Sequence, residues 1–161
     1  MRGMEIGRLQ MQGFESCASL LAGGLISVPR EPGIYAVTWD GLEEPAFLEA
    51  SRGGHFKDVD PTVAVDVLRS AWISDEPVLY IGKANILQRR IRELCAYAAG
   101  RPVGHRDGRY LWQIEQCDEF LVSWCPTPDQ NARDVEIELL RDFADNHGGR
   151  YPYANVAHEI H

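Results

Sequence analysis

Two charged residues stand where charge is expensive. Arg90 falls between Leu87 and Leu94, on a stripe that Ile91 also occupies at helical spacing. Glu136 falls among Val135, Leu139, Leu140 and Phe143 on a second apolar stripe. A charge on a core-facing stripe is costly unless it is paired or opens into a wet cleft. Two chemistries satisfy the pair. One is a buried Arg90–Glu136 salt bridge joining two helices. The other is a cleft in which Arg90 grips a phosphate and Glu136 holds a metal ion. The planar guanidinium suits phosphate because it donates bidentately. A lone carboxylate suits Mg²⁺, which keeps several waters and borrows phosphate oxygens as further ligands. Pattern alone leaves both readings open.

The elements around these residues can be read from punctuation and period. Pro77 opens the apolar run Val78-Leu79-Tyr80-Ile81, a buried strand that Gly82 ends. Asn85 is the expected N-cap of the helix that carries Arg90. Gly33 to Trp39 alternates as an earlier strand, and Asp40-Gly41 follows as a hairpin-type turn signal. Pro45 to Ala50 reads as a short strand, and Ser51-Arg52-Gly53-Gly54 as a loop without phosphate-loop spacing. Asp60-Pro61 opens an expected helix with Val63, Val65, Val67, Leu68 and Trp72 as its apolar surface. Residues 98–104 form a loop, and His105 to Ile114 a short helix with Leu111, Trp112 and Ile114 inward. Glu119 to Cys125 reads as a strand closed by Pro126 and Pro128. Asn131 to His147 is the clearest helix, stopped by Gly148-Gly149. Tyr151 to Val156 is extended and returns to the core. Residues 1–31 are weakly patterned, with a short helix and turn over Phe14 to Ile26.

Length and composition fit one domain. The chain has 161 residues, enough to bury a substantial core. No stretch approaches a membrane span, and the N-terminus lacks a signal-peptide layout. Cys17, Cys95, Cys117 and Cys125 show no metal-ligand spacing and read as reduced, apolar packing groups of a cytoplasmic protein. The net charge of -8 argues against a general nucleic-acid binder. The charge is nonetheless uneven. Lys83, Arg89, Arg90, Arg92, Arg101, Arg106 and Arg109 face only Glu93 and Asp107 between positions 83 and 109, a local surplus of +5 that leaves -13 elsewhere. Such a patch is either an anion footprint or a solvated helix face.

Gly33-Ile34-Tyr35 and Tyr80-Ile81-Gly82 carry the resemblance that joins these features. They match the two name-giving motifs of the GIY-YIG endonuclease family. Gly82 to Ile91 resembles that family's strand-to-helix segment, with Arg90 at the place of its catalytic arginine. Glu136-Ile-Glu-Leu-Leu resembles its metal-binding segment, and Asn155 its domain-closing asparagine. His105 is placed like a histidine that some members carry after the arginine helix. The resemblance spans residues 32–156. It departs in two places. Residues 36–79 separate motifs that most members join by a tight hairpin. Leu94 stands where many members have a histidine or tyrosine, a role open here to Tyr97 or His105.

The resemblance implies an α+β fold: a small three-stranded sheet, mixed or antiparallel, flanked by helices. It would be one domain over 1–161, with a core of about 32–41 and 77–156, an insertion at 42–76 and an N-terminal extension at 1–31. It implies a metal-dependent endonuclease, acting most readily on DNA, with Mg²⁺ or Mn²⁺ as cofactor. Tyr35 or Tyr80 would position or deprotonate the water, Tyr35 being the first choice, with Lys83 or the metal lowering its pKa from near ~10. Arg90 would bind the scissile phosphate, Glu136 the metal, and Asn155 would orient the site. Gly82, Lys83, Arg89, Arg92 and Arg106 are the further substrate-binding residues, and His105 completes the catalytic set. Targeting would fall to the insertion, a homodimer or a partner protein. The competing reading is a catalytically weak nucleic-acid or protein interaction module, which the acidic charge and Leu94 favour. Each residue also has a plain role: strand aromatic, turn glycine, loop histidine or backbone-bonding asparagine.

Overall fold

The structure, a computed structural model, describes residues 4–41 and 44–156. A small antiparallel hairpin comes first, β1 (Glu5–Ile6) and β2 (Leu9–Gln10). β3 (Gln12–Glu15) and α1 (Cys17–Leu21) follow. The remaining strands and α-helices are β4 (Gly33–Thr38), α2 (Val65–Ala71), β5 (Val78–Ala84), α3 (Leu87–Ala98), β6 (Leu121–Pro126) and α4 (Ala132–Asp145), and the helix expected over His105 to Ile114 forms as a 3₁₀ helix over Arg106–Gln113. The main sheet has the order β3-β6-β4-β5 and every pairing in it is antiparallel. The fold is therefore α+β, and its sheet has four strands rather than the expected three. The extra strand is β3, supplied by the weakly patterned N-terminal extension.

The sheet is a filling between two helices. β4 is central and buried along its whole length. Its alternate residues point to opposite faces. Tyr35 and Val37 join the core that holds Leu87, Ile91 and Leu94 of α3. Ile34 and Ala36 join the core that holds Val135, Leu139 and Leu140 of α4, together with Ile6, Leu9 and Met11. The two stripes read from the sequence thus pack on opposite sides of one sheet. Each fully buried leucine or isoleucine contributes roughly 1.5–3 kcal/mol relative to exposure.

Local chemistry explains where the boundaries fall. Asn131 caps α4, its Oδ1 accepting from the N–H groups of Arg133 and Asp134. The helix ends where Gly148 and Gly149 take φ of 64° and 87°, and the Gly149 N–H returns to the Ala144 carbonyl. Tyr153 to Val156 show how the last segment closes the core. Tyr153, Ala154 and Val156 are buried, and the Ala154 N–H donates to the Leu79 carbonyl on the outer edge of β5.

Three expectations need correction. The helix expected from Asp60-Pro61 begins only at Val65. Asp60 instead accepts from the Thr62 N–H, an Asx turn, while the Gln113 amide bonds both the N–H and the carbonyl of Val63. These bonds hold 60–64 as a loop. Pro45 to Ala50 is no strand; only Phe47 forms a bridge, to Ile114. Asn85 does not cap α3, since Ile86 is the cap residue and the helix lacks a side-chain cap. The four cysteines are free thiols. Among the described residues no helix is long and apolar enough to cross a membrane.

Candidate functional site

The site forms where the outer edge of β5 is left open. Asn155 lies on that edge and acts as one more strand residue. Its Oδ1 accepts from the Ile81 N–H at 3.0 Å and its Nδ2 donates to the Ile81 carbonyl at 2.9 Å. Ladder groups on one side of a strand recur every second residue. Lys83 main-chain groups therefore face the same side as those of Ile81, one step past the asparagine. A hollow of about 530 Å³ opens there.

The hollow straddles the edge of the sheet, so both faces feed it. From the α3 face come Tyr35, Tyr80 and Arg90; from the α4 face come Lys83, Arg133 and Glu136. Asn155 and Asp107 complete its polar lining. Six expected residues thus share one solvent-filled space: Tyr35, Tyr80, Lys83, Arg90, Glu136 and Asn155. Asp107 and Arg133 were not singled out from the sequence. Asp107 lies in the first turn of a 3₁₀ helix, Arg106–Gln113, and Arg133 in the first turn of α4, both exposed positions where a charge is unremarkable.

Tyr35 and Tyr80 lie diagonally on adjacent strands, because Tyr35 pairs with Gly82 and Val37 with Tyr80. Their ring centres are 6.0 Å apart. Gly82 leaves the room this requires. A Cβ at Gly82 would lie 2.6 Å from Tyr35 Cζ and 2.7 Å from its hydroxyl. Gly82, expected to bind substrate, instead lies under the Tyr35 ring. Its lack of a side chain lets that ring lie flat against β5.

His105 sits behind the tyrosines rather than in the open hollow. It is fully buried, with its Nε2 2.6 Å from the Tyr35 hydroxyl and its ring against both tyrosine rings. Its Nδ1 is buried without a hydrogen-bond partner. Burial, aided by the charge of Arg90, pushes the imidazole down to about 3. Tyr97, the other stand-in for the residue missing at Leu94, is buried among core residues and does not line the hollow.

The two phenols differ. Burial pushes Tyr35 up to about 12 against the opposing pull of Arg90 and of a hydrogen bond from Tyr80. Tyr80 lies well above the ordinary value, raised first by burial and then by Tyr35. Tyr35 is thus the easier to deprotonate, and the cation that helps it is Arg90. Lys83 was one of two cations expected in that role; its charge acts instead on Glu136.

Arg90 is held from two sides. Its Nη1 donates to the Gly104 carbonyl at 2.7 Å and to Glu93 Oε1 at 3.1 Å. Its Nη2 lies 3.8 Å from Asp107 Oδ2. No ion pair with Glu136 is formed among the described residues, which removes the helix-clamping salt bridge. Burial raises the Glu136 carboxyl above its usual range, while the charge and main chain of Lys83 pull it back. Among the described residues no three His, Cys, Asp or Glu side chains converge as a metal-binding group. One carboxylate in a wet, polar hollow fits a hard cation that keeps its waters and shares phosphate oxygens, not a metal caged by protein.

The other expected basic residues lie outside the hollow. Arg89, Arg92 and Arg106 are exposed, and Arg89 Nε lies 3.7 Å from Glu93 Oε2. They extend a basic surface around the α3 rim without lining the central space.

No protein-family model matches the chain, and no curated protein or solved structure matches it.

Proposed function

We propose that this protein is a GIY-YIG-type endonuclease that hydrolyses phosphodiester bonds in DNA with Mg²⁺ or Mn²⁺ in a cytoplasmic setting. The observation that carries this reading is the convergence of Tyr35, Tyr80, Arg90 and Glu136, from four different elements, on one hollow. A structural salt bridge or a plain core would not need an open, polar space there.

Phosphodiester hydrolysis needs an activated water, neutralisation of charge on the phosphate and an exit for the leaving oxygen. Tyr35 presents its hydroxyl oxygen to the attacking water. Tyr35, deprotonated with the help of the Arg90 charge, takes the proton from the water as the phenolate becomes a phenol, while neutral His105, its Nε2 2.6 Å away, fixes the position of the Tyr35 oxygen. Tyr80 shares the Tyr35 hydroxyl and orients the same water. Arg90 binds the non-bridging oxygens through Nη2, the edge now turned to Asp107, while Gly104 and Glu93 hold Nη1. Glu136 would hold the divalent ion, which supplies Lewis-acid polarisation of the phosphate and stabilises the leaving oxygen. Asn155 keeps the β5 edge, and with it Lys83, in place.

The test is nicking of supercoiled plasmid with Mg²⁺ or Mn²⁺, by wild type and by Glu136→Ala. The expected result is cleavage that the substitution abolishes without lowering the melting temperature. Equal activity in the variant removes Glu136 from the mechanism.

A further inference from the structure

Arg133 occupies a position that helix stability does not explain. It is the second residue of α4, in the turn where the helix dipole favours anions and works against a cation. It is exposed, and no ion pair within 4.0 Å involves it among the described residues. Yet it lines the hollow, three residues before Glu136 and on the same helix face. The hollow's other cations are occupied differently. Arg90 is matched by Glu93 and Asp107, and Lys83 acts on Glu136 through both its charge and its main chain, whereas Arg133 acts on Glu136 through charge alone and more weakly. Arg133 is left facing solvent beside a helix N-terminus, in a space far larger than one phosphate needs.

We infer that Arg133 is a further substrate-binding residue, which takes the phosphate adjacent to the one held by Arg90. The inference rests on the phosphodiester reading above and adds a residue to its substrate contacts. Arg90 enters the hollow from the α3 face of the sheet and Arg133 from the α4 face. A single phosphodiester engages the first alone. A strand laid across the edge of β5 engages both, with the Arg133 contact reading backbone and not sequence. An isolated small diester or a terminal phosphate monoester lacks the second contact.

The experiment is fluorescence anisotropy of the full chain with a labelled twelve-nucleotide DNA strand in EDTA, across a salt series. It compares wild type, Arg133→Ala and Arg133→Lys, with melting temperatures to show that each is folded. The expected result for Arg133→Ala is about tenfold weaker binding on every sequence. The salt slope should fall by about one contact, with Arg133→Lys retaining it. Wild-type affinity and slope in Arg133→Ala overturn the inference, as does a wild type that binds no strand. Cleavage is scored separately. A wild type that binds with the Arg133-dependent slope but never cuts defeats the hydrolysis reading alone. One that cuts but binds the strand with no Arg133 dependence defeats the Arg133 contact alone.

Discussion

The Tyr35 hydroxyl lies 2.6 Å from His105 Nε2 in a fully buried contact, and the histidine belongs to a loop 70 residues further along the chain. The contact ties the water-facing phenol to a group that stays neutral across ordinary pH. Its energetic consequence can be measured without any substrate. The folded imidazole titrates at about 3, against 6.5 for a free one. Between those values the unfolded chain binds the proton that the folded chain refuses. Stability from this group is therefore present above pH 6.5 and falls as the pH drops towards 3, by an amount on the order of several kcal/mol. The melting temperature of His105→Phe, followed from pH 7 to pH 4, should fall less steeply than that of wild type. Parallel curves would show that His105 is not a neutral buried group.

Arg90 is expected to act on turnover more than on docking. Arg90→Ala should lower the cleavage rate by ~10²–10³, the usual loss for one charge-stabilising donor, with a smaller change in DNA retention. Arg90→Lys should recover little, because an ammonium cannot reproduce the fork that holds Gly104 and Glu93 on one nitrogen while the other faces the hollow. A loss confined to binding would make Arg90 a docking residue. Single-turnover cleavage alongside filter binding separates the two outcomes.

Asp107 is expected to oppose the substrate. Its carboxylate faces the Arg90 edge that phosphate would take, and its charge raises Tyr35, Tyr80 and Glu136 alike. Asp107→Asn should tighten DNA binding by about threefold to tenfold at low salt, an advantage that shrinks as salt is added. Unchanged or weaker binding would show that Asp107 helps to hold Arg90 ready.

Asn155 works through the main chain of Ile81. Asn155→Ala leaves an N–H and a carbonyl of β5 without their partner and should cost about 1–3 kcal/mol. Asn155→Asp should also destabilise, since a carboxylate cannot donate to the Ile81 carbonyl. Urea unfolding measures both. A neutral Asn155→Ala would mean that water replaces the side chain at no cost.

The parts of this fold that were readable share one property: they repeat. The stripes of α3 and α4 and the runs of β4, β5 and β6 are periodic, and Arg90 and Glu136 were conspicuous because they broke that period. Tyr35, Tyr80 and Asn155 were placed by motif, and all line the hollow. Asp107 and Arg133 went unnoticed because the exposed first turns of a 3₁₀ helix and of α4 give a charge nothing to violate. The loop at 60–64 was misread because the Gln113 amide, 50 residues from Val63, outbids the local helix signal. β3 was missed because Gln12-Gly13-Phe14-Glu15 is a strand only through pairing with β6, across a bulge at Phe14.

That borrowed strand has a practical corollary. Trimming the chain to the stretch that carries the motifs, from Pro32 onward, would strip β6 of its outer neighbour. A row of bare amides and carbonyls beside Val122 and Trp124 would then invite a second molecule to dock in register. The shortened protein should precipitate or pair with itself, and the fault would lie in a missing bandage rather than in the residues that line the hollow.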